Sequence, residues 1–251
     1  TKIWNEGEPG AVTAVDSLSL QVGQGEFVVL LGPSGCGKSS LLYLLAGLEQ
    51  PSAGELLCDG ARVAGPAPER SMIFQVASLY PWLTVLDNVA LGLRLQGVEQ
   101  PERDSRAQAL LRQVGLGDMG QRRPHELSGG MRQRVALARA LAMKPKVLLM
   151  DEPFAALDVQ TRARMQGHLL DVWRASGASV LLVTHSIDEA LALADRIVVF
   201  TARPGRVKHE VSVALPRPRN PHDPRMVDLH RQLTELLADE VDRAFLEQET
   251  R

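Results

Sequence analysis

Cysteines are scarce in this chain, long apolar runs are absent, and opposite charges nearly cancel. Two cysteines in 251 residues argue against a disulfide scaffold and fit a reducing compartment. No apolar run approaches the roughly 18 residues that a membrane-spanning helix needs, so we expect nothing here to cross a bilayer. A formal net charge of −2 gives no overall basic field for nucleic acid or anionic lipid. The remaining composition is that of an ordinary globular protein with a sizeable core.

A glycine-rich segment, G-P-S-G-C-G-K-S at residues 32–39, follows the apolar run F-V-V-L-L and precedes a predicted helix at about residues 39–48. Glycines let the backbone wrap an anion with its N–H groups, and the positive N-terminus of the helix points at the same anion. Lys38 can reach the β- and γ-phosphates of a nucleotide, and the Ser39 hydroxyl can ligate Mg²⁺. We therefore predict that this phosphate loop binds a nucleoside triphosphate with magnesium; a glycine-rich turn with a surface lysine is the alternative. The predicted nucleotide-binding residues of the loop are Gly32, Pro33, Ser34, Gly35, Cys36, Gly37, Lys38, Ser39 and Ser40.

Short apolar runs alternate with helical patterns along the chain. The runs at residues 27–31, 147–150, 180–184 and 197–200 are typical of buried strands in a parallel sheet. Helical patterns occupy about residues 39–48, 130–142, 159–175 and 187–194. This alternation, with the phosphate loop on the first of these strands, predicts an α/β core.

Two breaks in the alternation predict domain boundaries. Residues 89–143 have helix-type spacing and no strong strand run, which predicts a helical subdomain inserted between core strands. Residues 216–224 read P-R-P-R-N-P-H-D-P and predict a stiff, extended connector. We therefore expect an α/β core at residues 1–88 and 144–206, a helical subdomain at 89–143 and a C-terminal extension at 207–251.

The C-terminal extension predicts an amphipathic helix beyond the connector. Apolar residues recur at intervals of three to five positions from Met226 to Phe245, as on one face of a helix. We expect this apolar stripe to pack on the chain's own core, with a contact to a partner as the alternative.

Two adjacent carboxylates, Asp151 and Glu152, end the predicted strand V-L-L-M. Ligands of open α/β sheets bind at the carboxyl ends of strands, so Asp151 would face the phosphate loop and hold Mg²⁺ through water. Glu152 would point elsewhere and could orient or deprotonate an attacking water. A solvated acidic loop is the alternative for this pair.

A second glycine-rich helix start reads L-S-G-G-M-R-Q-R at residues 127–134. Ser128 is a natural N-cap residue, and the exposed N–H groups and dipole of the following helix make a second anion site. Taken alone, Ser-Gly-Gly before a helix is usually only a cap.

These segments, taken in order, resemble the nucleotide-binding subunit of an ATP-binding cassette (ABC) transporter. Gln75 follows a short apolar run, A-A-L-D at residues 155–158 follows the paired acids, and His185 ends a strand. The pentapeptide L-S-G-G-M is the diagnostic part, and the resemblance extends from about Trp4 to Arg206. It implies a P-loop NTPase (RecA-like) core with a parallel-rich sheet, an inserted helical subdomain and an N-terminal β region, and an ATPase that uses ATP and Mg²⁺.

The resemblance implies a role for each matching residue. Asp151 is the metal-side acid, Glu152 the catalytic base, and Gln75 the sensor of magnesium and water; Ser39 also belongs to the metal site. His185 is implied to contact the γ-phosphate, where a structural histidine is the alternative. Trp4 lies at the place of an aromatic residue that stacks on adenine, and an exposed terminal Trp is the alternative. The residues implied to reach the nucleotide across a dimer interface are Ser128, Gly129, Gly130 and Asp158.

The resemblance also implies partners. Two copies would sandwich ATP and bind two membrane-spanning permease subunits through the region from Gln75 to Val85, while an extracytoplasmic binding protein acts indirectly. Tyr80 and Trp82 would be aromatic anchors for the permease, or else would be buried in the chain's own core. The chain would then lie at the cytoplasmic face of a bacterial inner membrane. Three stretches resemble the branch that imports nitrate, sulfonates, taurine and related anions: residues 74–90, residues 151–162, and the tail at 201–207 with L-P-R-P-R at 215–219.

Two other functions stay open at this point. A soluble, non-transport ABC ATPase acting on nucleic acid or ribosomes would usually carry tandem cassettes or basic patches, whereas this chain has one cassette and a mildly acidic balance. A small-molecule kinase with a phosphate loop is the other possibility, but the L-S-G-G-M segment would have no function in such an enzyme. We therefore expect an importer subunit and no nucleic-acid partner.

Overall fold

The computed structural model describes residues 1–155 and 157–249, without the side chains of the last two. Ala156, within the A-A-L-D segment, and residues 250–251 lie outside the described residues. The chain divides into two compact units, and each is described by itself. The first comprises Thr1–Ala67 and Ser179–Arg251, and the second comprises Pro68–Ala178.

The chain order of the elements follows the predicted alternation. The strands are β1 (Lys2–Trp4), β2 (Val12–Val15), β3 (Phe27–Leu31), β4 (Leu57–Cys58), β5 (Ala61–Arg62), β6 (Arg70–Ile73), β7 (Val147–Asp151), β8 (Ser179–Thr184), β9 (Arg196–Phe200) and β10 (Val207–Ser212). The helices are α1 (Lys38–Ala46), α2 (Val85–Leu95), α3 (Gln100–Gln113), α4 (Gly129–Ala142), α5 (Val159–Ser176), α6 (Ile187–Leu193) and α7 (Pro224–Glu249). No helix of the described chain is both long enough and apolar enough to cross a bilayer.

The first unit is organised around β3. This strand lies between β8 and β9 and is parallel to both, while β10 extends the sheet antiparallel to β9. All five residues of β3 are fully buried, which is why the strand reads as a continuous apolar run rather than an alternating one. A separate antiparallel pair, β1 with β2, forms an N-terminal β region. The α/β fold with a parallel-rich sheet is therefore confirmed.

The second unit combines a parallel strand pair with helices. Strands β6 and β7 run side by side, with Ile73 opposite Met150. Residues 89–143 hold helices and two 3-10 turns, Gly117–Met119 and Pro124–Glu126, and no strand. The Thr84 Oγ1 atom accepts the N–H of Asp87 at 3.0 Å and so caps the first of these helices, α2. The stretch is thus helical, and its status as a separate subdomain stays a prediction.

Helix α7 packs on the first unit along only part of its apolar stripe. Met226, Leu233 and Leu237 are buried, whereas Val241 and Phe245 are 51% and 61% exposed. The expected packing on the chain's own core therefore holds for the first half of the stripe and is wrong for its end. Towards the end of α7, Val241, Phe245 and Leu246 are exposed to solvent.

A buried carboxylate anchors α7 to the sheet. Glu240 accepts hydrogen bonds from the Ala202 N–H at 2.7 Å and from the Lys208 Nζ at 2.8 Å. Burial opposes ionisation of this carboxyl, but the hydrogen bonds from Lys208 and Ala202 outweigh burial and hold its pKa below the usual value. Such a charge stabilises α7 only while both donors remain in place.

Candidate functional site

The phosphate loop leaves the buried end of β3 and leads into α1. Lys38, the first residue of α1, is 4% exposed. Its ammonium donates to the Gly32 carbonyl at 2.9 Å and to the Pro33 carbonyl at 2.7 Å. The Cys36 thiol lies 3.6 Å from the same ammonium, and burial raises the pKa of that thiol. The loop thus encloses a positive charge beside a neutral sulfur.

Gly37 gives the loop a shape that other residues could not adopt. It caps α1 with a φ of 104°, in the left-handed region that favours glycine. A Cβ at this position would lie 2.2 Å from the Ala14 carbonyl oxygen of β2. The backbone of the loop is therefore closely packed on the N-terminal β region, and the N-terminus of α1 adjoins the Lys38 ammonium.

These groups fit a triphosphate with magnesium. A lysine ammonium, loop N–H groups and a helix N-terminus are donors for phosphate oxygens. Among the described residues, no group of three or more His, Cys, Asp or Glu side chains could hold a metal alone. Proteins usually bind Mg²⁺ through one or two side chains together with substrate phosphates.

The strand register of the first unit brings His185 close to the phosphate loop. Leu31, the last residue of β3, is opposite Thr184, the last residue of β8. Gly32 and His185 therefore leave the same edge of the sheet from neighbouring parallel strands. His185 is exposed and begins the connection to α6, which Ser186 caps.

Two contacts hold the Trp4 indole beside the phosphate loop, one at the ring edge and one at a ring face. Its Nε1 donates to the Ser40 Oγ at 3.1 Å, and the Lys2 ammonium lies 4.4 Å from the centre of the ring. Lys2 is itself held by Glu49 at 2.9 Å. Trp4 is the last residue of β1, in the N-terminal β region. Its role in stacking on adenine stays a prediction.

The turn at residues 201–206 supports the phosphate loop from outside. Gly205 donates its N–H to the Ala14 carbonyl at 2.9 Å. A Cβ on Gly205 would lie 2.3 Å from the Cys36 carbonyl oxygen and 3.2 Å from a ring carbon of Phe200. This contact was missed from sequence, where residues 201–207 served only as a mark of resemblance.

In the second unit, parallel pairing places Gln75 and the paired acids at one sheet edge. Gln75 follows Ile73 by two residues, and Asp151 follows its register partner Met150. The Asp151 side chain is buried, and Glu152 is half-buried. Glu152 has a φ of 43°, a conformation that costs a non-glycine residue about 1–3 kcal/mol and occurs often at functional sites.

Gln133 joins these two segments, although sequence reasoning assigned it no role. Its Nε2 donates to the Gln75 carbonyl and to the Pro153 carbonyl, each at 3.1 Å. It lies on α4, little more than one turn after Ser128. A polar residue in the run M-R-Q-R gives no sequence signal that its side chain is buried.

The predicted interface residues of the second unit lie at helix N-termini. Ser128 caps α4, accepting the Met131 N–H at 3.3 Å, and both Ser128 and Gly129 are exposed. Gly130 is buried against α5. Asp158 caps α5, accepting the Thr161 N–H at 3.0 Å, and its hydrogen bonds to Thr161 hold its pKa below the usual value. Their contacts with a partner stay predictions.

The aromatic residues after Gln75 are open to solvent. Tyr80 is 40% and Trp82 67% exposed, and their rings lie 5.5 Å apart. The Arg139 guanidinium lies 5.8 Å from the Tyr80 ring centre. The alternative in which these rings are buried in the chain's own core is therefore wrong.

A family profile and similar curated proteins point to the same family. A sequence profile described as "ABC transporter" matches residues 15–155. The chain is 50% identical over 241 residues to the taurine import ATP-binding protein TauB of Burkholderia pseudomallei, covering 93% of each chain. It is 50% identical over 210 residues to the nitrate import ATP-binding protein NrtD of a Synechocystis species, covering 84% of this chain and 79% of the relative.

A solved structure resembles the fold. A dimeric, post-hydrolysis ATP-binding cassette bound to ADP and Pi superposes with a TM-score of 0.76 at 33% identity, covering 86% of this chain and 97% of that one. Because the family profile spans more than half of the chain and the relatives match nearly all of it, the chain belongs to the ABC transporter family and is an ATP-binding, ATP-hydrolysing cassette.

Proposed function

We propose that this cassette energises the import of a small anion of the taurine, sulfonate or nitrate kind. The observation that carries the proposal is 50% identity to a taurine import ATP-binding protein across 93% of both chains. A nitrate import ATP-binding protein is equally similar over a somewhat shorter stretch. The cassette does not itself contact the solute, so the proposal names a class of solute rather than one compound.

The phosphate loop is assigned the binding of ATP with magnesium. Lys38 would exchange its bonds to the Gly32 and Pro33 carbonyls for bonds to the β- and γ-phosphates. Ser39 would ligate Mg²⁺, whose charge offsets that of the phosphates, and Trp4 would stack on adenine. Phosphoryl transfer depends mainly on such positioning and charge stabilisation.

The residues of the second unit are assigned the water and metal side of the reaction. Asp151 would hold Mg²⁺ through water, Gln75 would sense both magnesium and the attacking water, and Glu152 would accept the proton of that water. His185, from the first unit, would contact the γ-phosphate. The parallel pairing of β6 with β7 supports this grouping, because it brings Gln75 and Asp151 to one edge.

The complete site would need two copies of the chain. Ser128, Gly129 and Gly130 would bind the ATP held by the partner's phosphate loop, and Asp158 would cross the interface. The exposed N-terminus of α4 supports this assignment, since it leaves donors for an anion from another molecule. Hydrolysis would remove the ligand that joins the two copies, so that the dimer opens.

The permease contact is assigned to residues 75–85. The solvent-exposed pair of Tyr80 and Trp82 supports this, since exposed aromatic residues are frequent anchors in protein interfaces. Two permease subunits would hold the cassette dimer at the cytoplasmic face of the membrane, and a binding protein would deliver the solute on the other side. No observation favours a nucleic-acid or ribosome function.

ATPase assays of the assembled transporter test the proposed function. The cassette is purified with its native membrane subunits, and turnover is measured with the binding protein and taurine, an alkanesulfonate, nitrate or a sugar. One of the anions should raise turnover, while the sugar should not. The Glu152→Gln variant serves as the inactive control and should still bind ATP. A turnover that no anion changes would count against the importer assignment.

A further inference from the structure

Gln133 is a buried amide whose orientation is fixed by its partners. Both of its hydrogen-bond partners are carbonyl oxygens, of Gln75 and Pro153, each 3.1 Å from the Nε2. Only the amide nitrogen can donate to a carbonyl, so the Nε2 must face both. The side chain is 8% exposed, and its Oε1 has no hydrogen-bond partner among the described residues.

The unpaired amide oxygen of Gln133 destabilises the fold, and only the two donated hydrogen bonds can offset that cost. Leaving a buried amide oxygen unpaired costs about 1–3 kcal/mol, and the surroundings of Gln133 include Ile73, Met150 and Phe154. A methionine would fill similar space without an unpaired oxygen. The site nevertheless has an amide, and the one thing that an amide supplies here is a pair of N–H donors to two separate loops.

The two acceptors adjoin residues assigned to the reaction. Pro153 directly follows Glu152, whose backbone is held in the left-handed region. The other acceptor is the carbonyl of Gln75 itself. One side chain therefore fixes the backbone of the loop that carries the proposed base and of the loop that carries the proposed sensor.

Helix α4 holds the Gln75 loop at a second place. Arg139 donates to the Ser78 carbonyl at 2.9 Å and to the Ala77 carbonyl at 3.1 Å. Gln133 and Arg139 lie on the same helix, whose N-cap is Ser128. Most residues of α4 are buried, so the helix and these two loops form one packed body within the second unit.

We propose that Gln133 is a positioning residue that couples the Ser128 end of α4 to the loops of Gln75 and Glu152. A ligand that shifts Ser128 shifts α4, and Gln133 passes that shift to both carbonyls. The proposal rests on the roles assigned to Gln75 and Glu152 under the proposed function. It adds that the alignment of these residues depends on the helix that faces the partner's nucleotide.

Steady-state ATPase kinetics of the purified full chain test the proposal. Gln133→Met keeps the volume and removes both donors, and Gln133→Asn keeps an amide on a shorter stem. We expect kcat to fall roughly tenfold with Met and to an intermediate value with Asn, while KM for ATP stays within about twofold, since the phosphate loop is untouched. Urea unfolding of each variant measures stability separately.

Arg134→Met is the matched control. Arg134 is the next residue of α4 and donates to the Val114 carbonyl at 3.1 Å, so this change also removes a bond from α4 to a backbone carbonyl. It should lower stability yet leave kcat within about twofold of wild type.

Two outcomes overturn the proposal: both Gln133 variants keep wild-type kcat, or Arg134→Met lowers kcat as much as Gln133→Met. If Gln133→Met does not fold, the Asn variant decides. Glu152→Gln in the same assay tests the proposed base by itself. Wild-type turnover in Glu152→Gln refutes the role of Glu152. If Glu152→Gln loses turnover while both Gln133 variants keep wild-type turnover, only the coupling is refuted.

Discussion

Gly205 lies outside the phosphate loop, yet replacing it with alanine should displace the loop and lower ATP turnover. The Cβ of an alanine at this position would lie 2.3 Å from the Cys36 carbonyl oxygen. Ordinary contact begins at 3.4 Å, so the two groups must separate by about 1 Å. Gly205 cannot easily retreat, because its N–H is bonded to the Ala14 carbonyl and its own carbonyl accepts the Asp16 N–H.

The displacement therefore falls largely on the phosphate loop. A shift of about 1 Å in groups that position a substrate can cost about 100-fold in rate, or about 2.7 kcal/mol. We expect Gly205→Ala to lower kcat/KM for ATP by roughly 10- to 100-fold, and stability by about 1–3 kcal/mol as in other overpacked sites. ATPase kinetics and urea unfolding measure the two effects.

Gly65→Ala is the matched control in the same unit. A Cβ there would meet nothing within 4 Å, and neither Gly65 nor Gly205 has a positive φ. The control should therefore change stability by less than about 0.5 kcal/mol and leave kcat/KM unchanged. Equal kcat/KM in the two variants would refute the reasoning that the turn at residues 201–206 supports the loop.

Two further predictions concern α7 and the adenine site. Glu240→Gln should lower the free energy of unfolding at pH 7 by about 1–3 kcal/mol, because Lys208 and the Ala202 N–H lose a charged acceptor. The pKa of Glu240 is lowered in the folded state, so the wild type holds this stability above the usual pKa of 4.5 and loses it as the pH falls through the folded value. Urea unfolding at several pH values should therefore show that the difference in unfolding free energy between the two proteins shrinks as the pH falls. Trp4→Ala should raise KM for ATP by the equivalent of about 1–3 kcal/mol, as loss of base stacking does, whereas Trp4→Phe should retain most of the affinity. An unchanged KM in Trp4→Ala would remove the adenine assignment.

Much of the fold could be predicted because its signals are local. The buried strands β3, β7, β8 and β9 are continuous apolar runs, and their observed bounds differ from the predicted ones by at most one residue at either end. The phosphate loop is specified by glycines that the backbone itself requires, as the φ of Gly37 illustrates. Helix-type spacing likewise indicated the helices of the region at residues 89–143, although α2 begins at Val85, four residues before the predicted start.

The features that could not be predicted depend on residues distant in sequence. Gln133 looks like a polar surface residue of α4, and its burial follows from packing against segments near Gln75 and Pro153. Gly205 matters because Cys36 lies beside it, some 170 positions earlier. The end of the α7 stripe, including Phe245, is exposed, which spacing alone does not reveal.

The central claim is that each ATP site is completed by a second copy of the chain. Two variants that are inactive alone test it directly: Lys38→Ala removes the phosphate-binding ammonium, and Ser128→Arg blocks the N-terminus of α4. Differently tagged copies are mixed in equal amounts, and the mixed dimers are isolated by both tags. A mixed dimer has one intact composite site out of two, so the isolated mixed dimers should regain partial ATP turnover, at most about half of wild type. Mixed dimers that form in the presence of ATP and show no turnover would contradict the account.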